Sequence, residues 1–170
     1  MSSLTDFRAE KDHFFATHPQ SPLSPDKKRE FVGLVYFPEN KNLRLEVEVH
    51  EFPNKEIIEI QTTTGDLRTY QRFGRIYFRV DGEDANLTIY HTDFGFFLPF
   101  VDSLANIETY GAGRYLEPEQ LPNGKFLVDF NLAYNPYCAY DENYSCPLTP
   151  FENRLKVPIR AGEKLFKTES

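Results

Sequence analysis

The chain has 170 residues, of which 40% are hydrophobic and 15% aromatic, and its net charge at pH 7 is −7. Such a composition predicts one ordered domain over residues 1–170 and excludes a disordered chain. The negative charge argues against nucleic acid as a partner, because phosphate binding needs a basic surface, and no apolar run is long enough to cross a membrane.

The first predicted element is a helix over residues 4–17, with a period of 3.6 residues. Its packing face is expected to carry Leu4, Phe7, Phe14 and Phe15. Off that face we expect Glu10, Lys11 and Asp12. A proline-rich stretch ends this helix, and Ser24 and Pro25 then predict the cap and first turn of a short helix that runs to Phe31.

Residues 32–134 have a period of two, which predicts antiparallel β-strands. The predicted strands are 43–50, 57–63, 67–73, 75–80, 85–92, 96–101, 113–117 and 126–130. Residues 155–164 are expected to form a final strand, over 155–159, and a tail. No helical period interrupts the strands, so the predicted fold is mainly β. It is an antiparallel meander that forms a barrel-like or sandwich domain, with the N-terminal helix packed on it.

Turn residues separate several of the predicted strands. Asp81-Gly82 and Asn123-Gly124 are typical of hairpin turns, since Gly and Asn accept a positive φ. The Asn123-Gly124 turn is expected to pair residues 113–117, or the residues just after them, with residues 126–130.

A row of basic residues follows the strands on either side of Gly74. Arg68, Tyr70 and Arg72 precede this glycine, and Arg75, Tyr77 and Arg79 follow it. Charged side chains on a strand usually form a solvated outer surface. The alternative is a cationic lining that meets a carboxylate or phosphate group of a ligand.

Residues 111–114 combine two glycines with an arginine. Gly111 and Gly113 indicate backbone in strained or closely packed geometry. Arg114 is expected to pair with Asp102, either as a structural salt bridge or as part of a binding site. The pattern of a nucleotide phosphate loop is missing.

Residues 135–154, NPYCAYDENYSCPLTPFENR, have no helix or strand period and hold both cysteines of the chain. Their density of Asn, Ser, Thr and Pro predicts an ordered segment whose backbone is capped largely by side chains. Cys138 and Cys146 are a poor basis for a metal site, because no histidine follows His91. No metal and no cofactor are therefore expected.

The chain opens without the apolar stretch of a signal peptide, so the expected location is the cytoplasm. Both cysteines are then expected to be reduced thiols, at least one of them shielded from solvent. A catalytic thiol would need a cationic neighbour, and Arg154 is a candidate.

The stretches TYGAGRYLE (109–117) and DFNLAYNPYCAYDENYSCPLTPFENRLKVPIRAGEK (129–164) resemble an uncharacterised prokaryotic family, domain-of-unknown-function family 1684. The resemblance runs over residues 7–164. It implies no activity, but it does imply that the polar C-terminal block is a feature of the family.

These observations predict that the protein binds a small ligand, with an anionic group as one option, in a pocket closed by residues 135–154. The residues expected around the pocket are Arg114, Tyr134, Asn135, Cys138, Tyr140, Glu152, Asn153 and Arg154. Arg114 or Arg154 would hold the anionic group.

Two alternatives remain. One is an enzyme in which Cys138 or Cys146 is a nucleophile or redox group and Glu152 is an acid or base. The other is a structural or protein-interaction module with inert cysteines. The oligomeric state stays open.

Overall fold

The computed structural model describes residues 3–166 and begins with two helices, α1 (Ser3–Thr17) and α2 (Pro25–Glu30). Ser24 caps α2 as predicted: its hydroxyl oxygen accepts a hydrogen bond from the N–H of Lys27 at 3.3 Å. None of the helices in this part of the chain is long and apolar enough to cross a membrane. The predicted single domain also includes residues 1–2 and 167–170, which lie outside the described range.

Nine strands are found within residues 3–166. They are β1 (Arg44–Val47), β2 (His50–Glu51), β3 (Ile57–Gln61), β4 (Leu67–Val80), β5 (Glu83–Thr92), β6 (Gly95–Phe100), β7 (Arg114–Leu116), β8 (Glu119–Gln120) and β9 (Phe126–Asp129). One sheet has the order β1-β9-β8, and the other has the order β2-β4-β5-β6-β7, with β3 also paired to β4. The strand pairings are antiparallel, as predicted, and the two sheets do not close into a barrel.

The predicted hairpin turns are confirmed. Asp81 and Gly82, with φ of 50° and 83°, join β4 to β5. Gly124, with φ of 85°, lies in the turn between β8 and β9. The strand before this turn is β8, just after residues 113–117, because β7 pairs with β6 instead.

Strand β4 is one strand of 14 residues, where the sequence predicted two strands separated by Gly74. A β-bulge interrupts its register between Arg72 and Gly74. Glycine is required here because a Cβ atom would lie 2.6 Å from Cγ1 of Val49. A bulge adds one residue to the strand and so inverts the alternation of faces beyond it. Arg72 and Arg75, three positions apart, therefore point to the same side.

The main core lies between the two sheets and draws on both. Ile76, Leu87 and Leu98 come from the larger sheet, and Phe126 comes from the smaller one. A second apolar cluster joins the N-terminal helical region to the C-terminal part of the chain. It contains Phe15, Leu23, Leu34 and Tyr140.

Helix α1 has the predicted extent, and Phe15 and Phe14 of its predicted packing face do pack in the second apolar cluster, but Phe7 does not. Phe7 is 41% exposed. Lys11 instead reaches inward to the buried carboxylate of Glu163, and the Asp12 carboxylate accepts a hydrogen bond from the N–H of Leu34 at 3.1 Å. Residues four apart share a helix face, so Lys11 follows the same side as buried Phe15.

The strand expected at residues 155–159 was also wrong. Leu155 donates its N–H to the carbonyl of Val101 at 2.7 Å, next to an isolated bridge at Arg154, and no strand continues from there. Pro158 has no N–H to offer a neighbouring strand. The N–H of Ile159 is satisfied by the Asp102 carboxylate at 2.8 Å, so side chains replace the strand ladder.

Candidate functional site

Residues 135–154, here called the C-terminal loop, are folded by two short 3-10 turns, Tyr137–Ala139 and Phe151–Asn153. The sequence predicted caps from the segment's own Asn, Ser and Thr, whereas part of its backbone is bonded by side chains from elsewhere. Lys27 Nζ donates to Tyr140 at 2.7 Å, and Thr63 Oγ1 donates to Tyr144 at 3.0 Å. This irregular backbone is therefore held by polar side chains of the surrounding elements.

A cleft of about 660 Å³ lies between α1 and the first half of the C-terminal loop, and we call it the α1 cleft. Half of the residues in its walls are aromatic, and Glu10 is among the others. The aromatic residues include Phe7, Phe14, Tyr115, Tyr134, Tyr137 and Tyr144. A concave apolar space of this size suits a small organic molecule.

Two tyrosines of the α1 cleft are held rigidly. The backbones of Tyr115 and Tyr134 pair with each other, with N···O distances of 2.8 and 3.1 Å. The hydroxyl of Tyr115 donates to the carbonyl of Pro147, and that of Tyr134 donates to Glu117 at 3.1 Å. Burial raises the pKa of both phenols, so both remain protonated at neutral pH.

Two cations reach the α1 cleft, Arg68 from β4 and Lys11 from α1. Lys11 is paired with Glu163, and its ammonium lies 4.9 Å from the ring centre of Tyr134. Arg68 is exposed and donates from Nη2 to the carbonyl of Ser145 at 2.7 Å. No carboxylate of residues 3–166 forms an ion pair with Arg68, so its charge is available to a bound molecule.

The rim of the α1 cleft beside Arg68 is fixed by Asp66. Its carboxylate accepts hydrogen bonds from Thr62, Thr64 and Ser145, which tie the turn before β4 to the C-terminal loop. The same hydrogen bonds, that of Thr62 first, lower the pKa of the Asp66 carboxyl.

The two cysteines lie next to each other as free thiols. The N–H of Cys138 donates to Cys146 Sγ at 3.3 Å, and the hydroxyl of Tyr110 lies 3.7 Å from Cys138 Sγ. Cys146 is 6% exposed and lines the α1 cleft, which agrees with the expectation of at least one shielded thiol.

Glu163 is a polar centre that the sequence did not reveal. Its side chain is 2% exposed, and it accepts hydrogen bonds from the hydroxyl of Tyr140 at 2.7 Å and from the N–H of Asn135 at 3.1 Å. It also pairs with Lys11. The hydroxyl of Tyr140 and the backbone N–H of Asn135, two residues expected at a ligand, therefore bind this buried carboxylate, while the Asn135 amide donates to the Tyr140 hydroxyl and the carbonyl of Lys164.

Arg114 lies in the core, 1% exposed, and not in a pocket. It donates to the carbonyls of Ile159, Ala161 and Glu163, at 2.9, 2.5 and 3.0 Å. Asp102 lies 3.6 Å away, so the expected pair exists as a structural salt bridge. Burial lowers the pKa of the guanidinium to about 10, so Arg114 keeps its charge at neutral pH.

The second half of the C-terminal loop lies elsewhere. Glu152 receives two hydrogen bonds from Arg72, at 3.0 and 2.6 Å, and one from Arg75 at 3.2 Å. Arg154 is exposed beside a separate cavity of about 450 Å³ that Glu152 also lines. Asn153 is fully buried and bonded to backbone.

The eight residues predicted around one pocket are thus divided among several places. Only Tyr134 of that set lines the α1 cleft, together with the catalytic candidate Cys146. Isolated bridges pair Pro147 with Thr62 and Arg154 with Val101, so the two halves of the loop follow different strands. For the same reason Glu152 does not lie beside the thiols, as an acid or base for them would have to. Within residues 3–166, no three His, Cys, Asp or Glu side chains are grouped to hold a metal ion.

Comparison with known proteins places this fold in a family. The model of a family described as protein of unknown function (DUF1684) matches residues 29–164. The chain belongs to this family. An uncharacterized protein of Haloarcula marismortui, with a structure solved by NMR in solution, is similar at 36% sequence identity and a TM-score of 0.70, over 95% of this chain and 91% of that one. No curated protein matches the sequence.

Several residues of the α1 cleft were missed by sequence reasoning. Arg68 was singled out only as one of a basic row, in which Arg72 and Arg75 bind Glu152 and Arg79 binds Asp84. The signal that could have distinguished Arg68 from the other arginines of the row is its position at the start of β4, next to the preceding turn and before the bulge. Lys11 could have been found from its four-residue spacing to Phe15.

The Glu152 cluster predicts a dependence of stability on pH. Burial alone would raise the pKa of the Glu152 carboxyl, but hydrogen bonds from Arg72 and Tyr90 outweigh it, and the pKa is lowered. The stabilisation is therefore complete above the unfolded pKa of about 4.3 and is lost as the pH falls through the folded value. We expect Glu152→Gln to lower the free energy of unfolding by about 2 kcal/mol at neutral pH.

Urea unfolding of both proteins between neutral pH and about pH 3 measures this difference, which should shrink below about pH 4. The control is Glu56→Gln, because Glu56 is the exposed partner of Arg72 at 3.2 Å and contributes under about 1 kcal/mol. An equal loss at acid and neutral pH would contradict the prediction.

Proposed function

We propose that this protein binds a small amphipathic anion in the α1 cleft. The ligand has an apolar body, made of rings or a short chain, and one carboxylate or similar group. The observation that carries the proposal is an exposed arginine, without a carboxylate partner among residues 3–166, at the edge of an aromatic cleft.

The aromatic walls favour the apolar body of the ligand. Burying apolar surface contributes about 25 cal/mol per Å², and rings add specific edge and face contacts. A bound ligand would cover apolar surface of Phe7, because its ring lines the cleft while 41% of its surface is open to solvent.

Arg68 is the group that would bind the anion. A guanidinium has five N–H donors, and the partners of Arg68, the carbonyl of Ser145 and the hydroxyl of Tyr70, do not use all of them. The remaining donors suit a carboxylate, which accepts two parallel hydrogen bonds. Lys11 contributes less, because Glu163 already balances its charge.

A fluorescent aromatic anion, 8-anilino-1-naphthalenesulfonate, tests the proposal, and its uncharged relative N-phenyl-1-naphthylamine is the matched probe. We expect Arg68→Gln to weaken binding of the anion about tenfold, the equivalent of one charge-assisted hydrogen bond. Binding of the uncharged probe should hardly change. The measurement is a fluorescence titration of the folded full chain at constant salt.

The control variant is Arg79→Gln, which removes the same charge from the same strand at a surface ion pair with Asp84. It should leave the binding of both probes unchanged. If Arg68→Gln and Arg79→Gln affect the anion equally, or neither does, Arg68 is not the anion-binding group and the proposal fails.

A further inference from the structure

The two thiols lie in a wall that separates two cavities. Cys146 lines the α1 cleft, whereas Cys138 lines a second cavity of about 490 Å³ on the other side, beside Tyr140 and Asp141. Of the two cysteines, only Cys146 is among the lining residues of the α1 cleft, so it is the one that a molecule in this cleft can contact.

The distances bring the thiols within reach of a disulfide. Cys146 Sγ lies 3.3 Å from the backbone nitrogen of Cys138, which donates its N–H to that sulfur. An N–Cα bond is about 1.46 Å long, so this sulfur lies within about 4.8 Å of Cys138 Cα. A sulfur this close to the main chain of the partner cysteine favours closure of a disulfide without a large backbone movement.

The surroundings shift the pKa values of the two thiols in opposite directions. Cys146 accepts hydrogen bonds from the Cys138 thiol and from the Cys138 N–H, and it feels the positive charge of Arg68, so its pKa is lowered despite burial. The hydrogen bond to Cys146 and burial raise the pKa of Cys138. Cys146 is thus the more acidic of the two thiols.

We propose that Cys138 and Cys146 form a redox-active dithiol that reduces small-molecule disulfides entering the α1 cleft. The Cys146 thiolate attacks one sulfur of the disulfide RSSR, which forms a mixed disulfide and releases RS⁻. Cys138 then attacks Cys146 Sγ and releases the second RS⁻. The Cys138 proton passes to one released RS⁻ and the other RS⁻ takes a proton from solvent, so two electrons pass from the protein to RSSR.

Closure of this disulfide would join two points of the C-terminal loop, which forms one wall of the α1 cleft. Cys138 lies in the 3-10 turn beside Tyr137, and Cys146 lies beside Pro147, whose carbonyl holds Tyr115. Oxidation is therefore expected to stiffen the cleft. The dithiol reaction does not depend on the amphipathic ligand proposed above, and the two are tested by different measurements.

The test uses the folded full chain and bis(2-hydroxyethyl) disulfide, a small neutral oxidant, at neutral pH. Both cysteines lie in one tryptic peptide, residues 126–154, because no Lys or Arg occurs between Lys125 and Arg154. We expect intact-mass spectrometry to show a monomer lighter by two hydrogens, and this peptide to resist alkylation until dithiothreitol is added. The folded chain should close about tenfold faster than the chain in urea, because the thiols are already adjacent.

Two variants test the order of attack. Cys138→Ser should accumulate one mercaptoethanol adduct on Cys146, whereas Cys146→Ser should react slowly at Cys138. Stable adducts on both wild-type cysteines, or closure no faster than in urea, would overturn the proposal, and faster labelling of Cys138 would overturn the order. The wild-type measurement stands even if a variant fails to fold.

Discussion

Arg114→Met is expected to lower the free energy of unfolding by about 3–5 kcal/mol, because it leaves a buried carboxylate without its partner. Asp102 is 4% exposed and lies 3.6 Å from the guanidinium. Methionine fills much of the same volume, so the loss reports charge and hydrogen bonding more than packing. Three backbone carbonyls, those of Ile159, Ala161 and Glu163, would lose their donors at the same time.

Urea unfolding followed by circular dichroism measures this loss. The matched control is Arg160→Met, since Arg160 is exposed and forms only a 3.5 Å surface pair with Glu108. Such a pair contributes under about 1 kcal/mol. Equal stabilities of Arg114→Met and Arg160→Met would mean that the buried guanidinium does not hold the C-terminal part of the chain.

Asn153→Ala is expected to lower the free energy of unfolding by about 3 kcal/mol, because the side-chain amide takes the place of a neighbouring strand in bonding to backbone groups. Asn153 Oδ1 accepts from the N–H of Thr88, and Nδ2 donates to the carbonyls of Thr88 and Pro99, each at 2.8 Å. The pairing of β5 with β6 ends at Tyr90, so Thr88 has no strand partner on that side. Removing the amide leaves three backbone groups buried and unsatisfied, at about 1 kcal/mol or more each.

Thermal and urea unfolding of Asn153→Ala are compared with those of Asn143→Ala. Asn143 is an exposed residue of the same loop, where only its backbone N–H bonds to Asp141, at 3.0 Å. Asn143→Ala should change the stability by less than about 0.5 kcal/mol. If Asn153→Ala lowered the stability as little as Asn143→Ala, water would be bonding the backbone groups of Thr88 in place of the amide.

The features that the sequence predicted correctly are local ones. The cap of α2 at Ser24 and the turns at Gly82 and Gly124 follow from the conformations that a few adjacent residues prefer. The mainly β, antiparallel class follows from the period of two, and family membership from the residues quoted between 109 and 164. Each of these needs information from one stretch of chain only.

The candidate site was predicted less well, because most polar residues of a conspicuous motif face inward. Sequence shows that Arg114 and Asn153 are unusual residues, but not that buried backbone groups consume their hydrogen-bonding capacity. Their chemistry suits a ligand and a core equally well. Only the surrounding fold distinguishes the two uses.

The bulge at Gly74 and the position of Glu163 were decided by tertiary structure alone. Gly74 is fixed by the close approach of Val49, and its effect is to bring Arg72 and Arg75 to one carboxylate while Arg68 remains at the α1 cleft. Glu163 meets Lys11 across 152 residues of sequence. The sequence thus determines which elements form. Contacts between distant elements determine which charges are neutralised inside the protein and which remain free at a cleft.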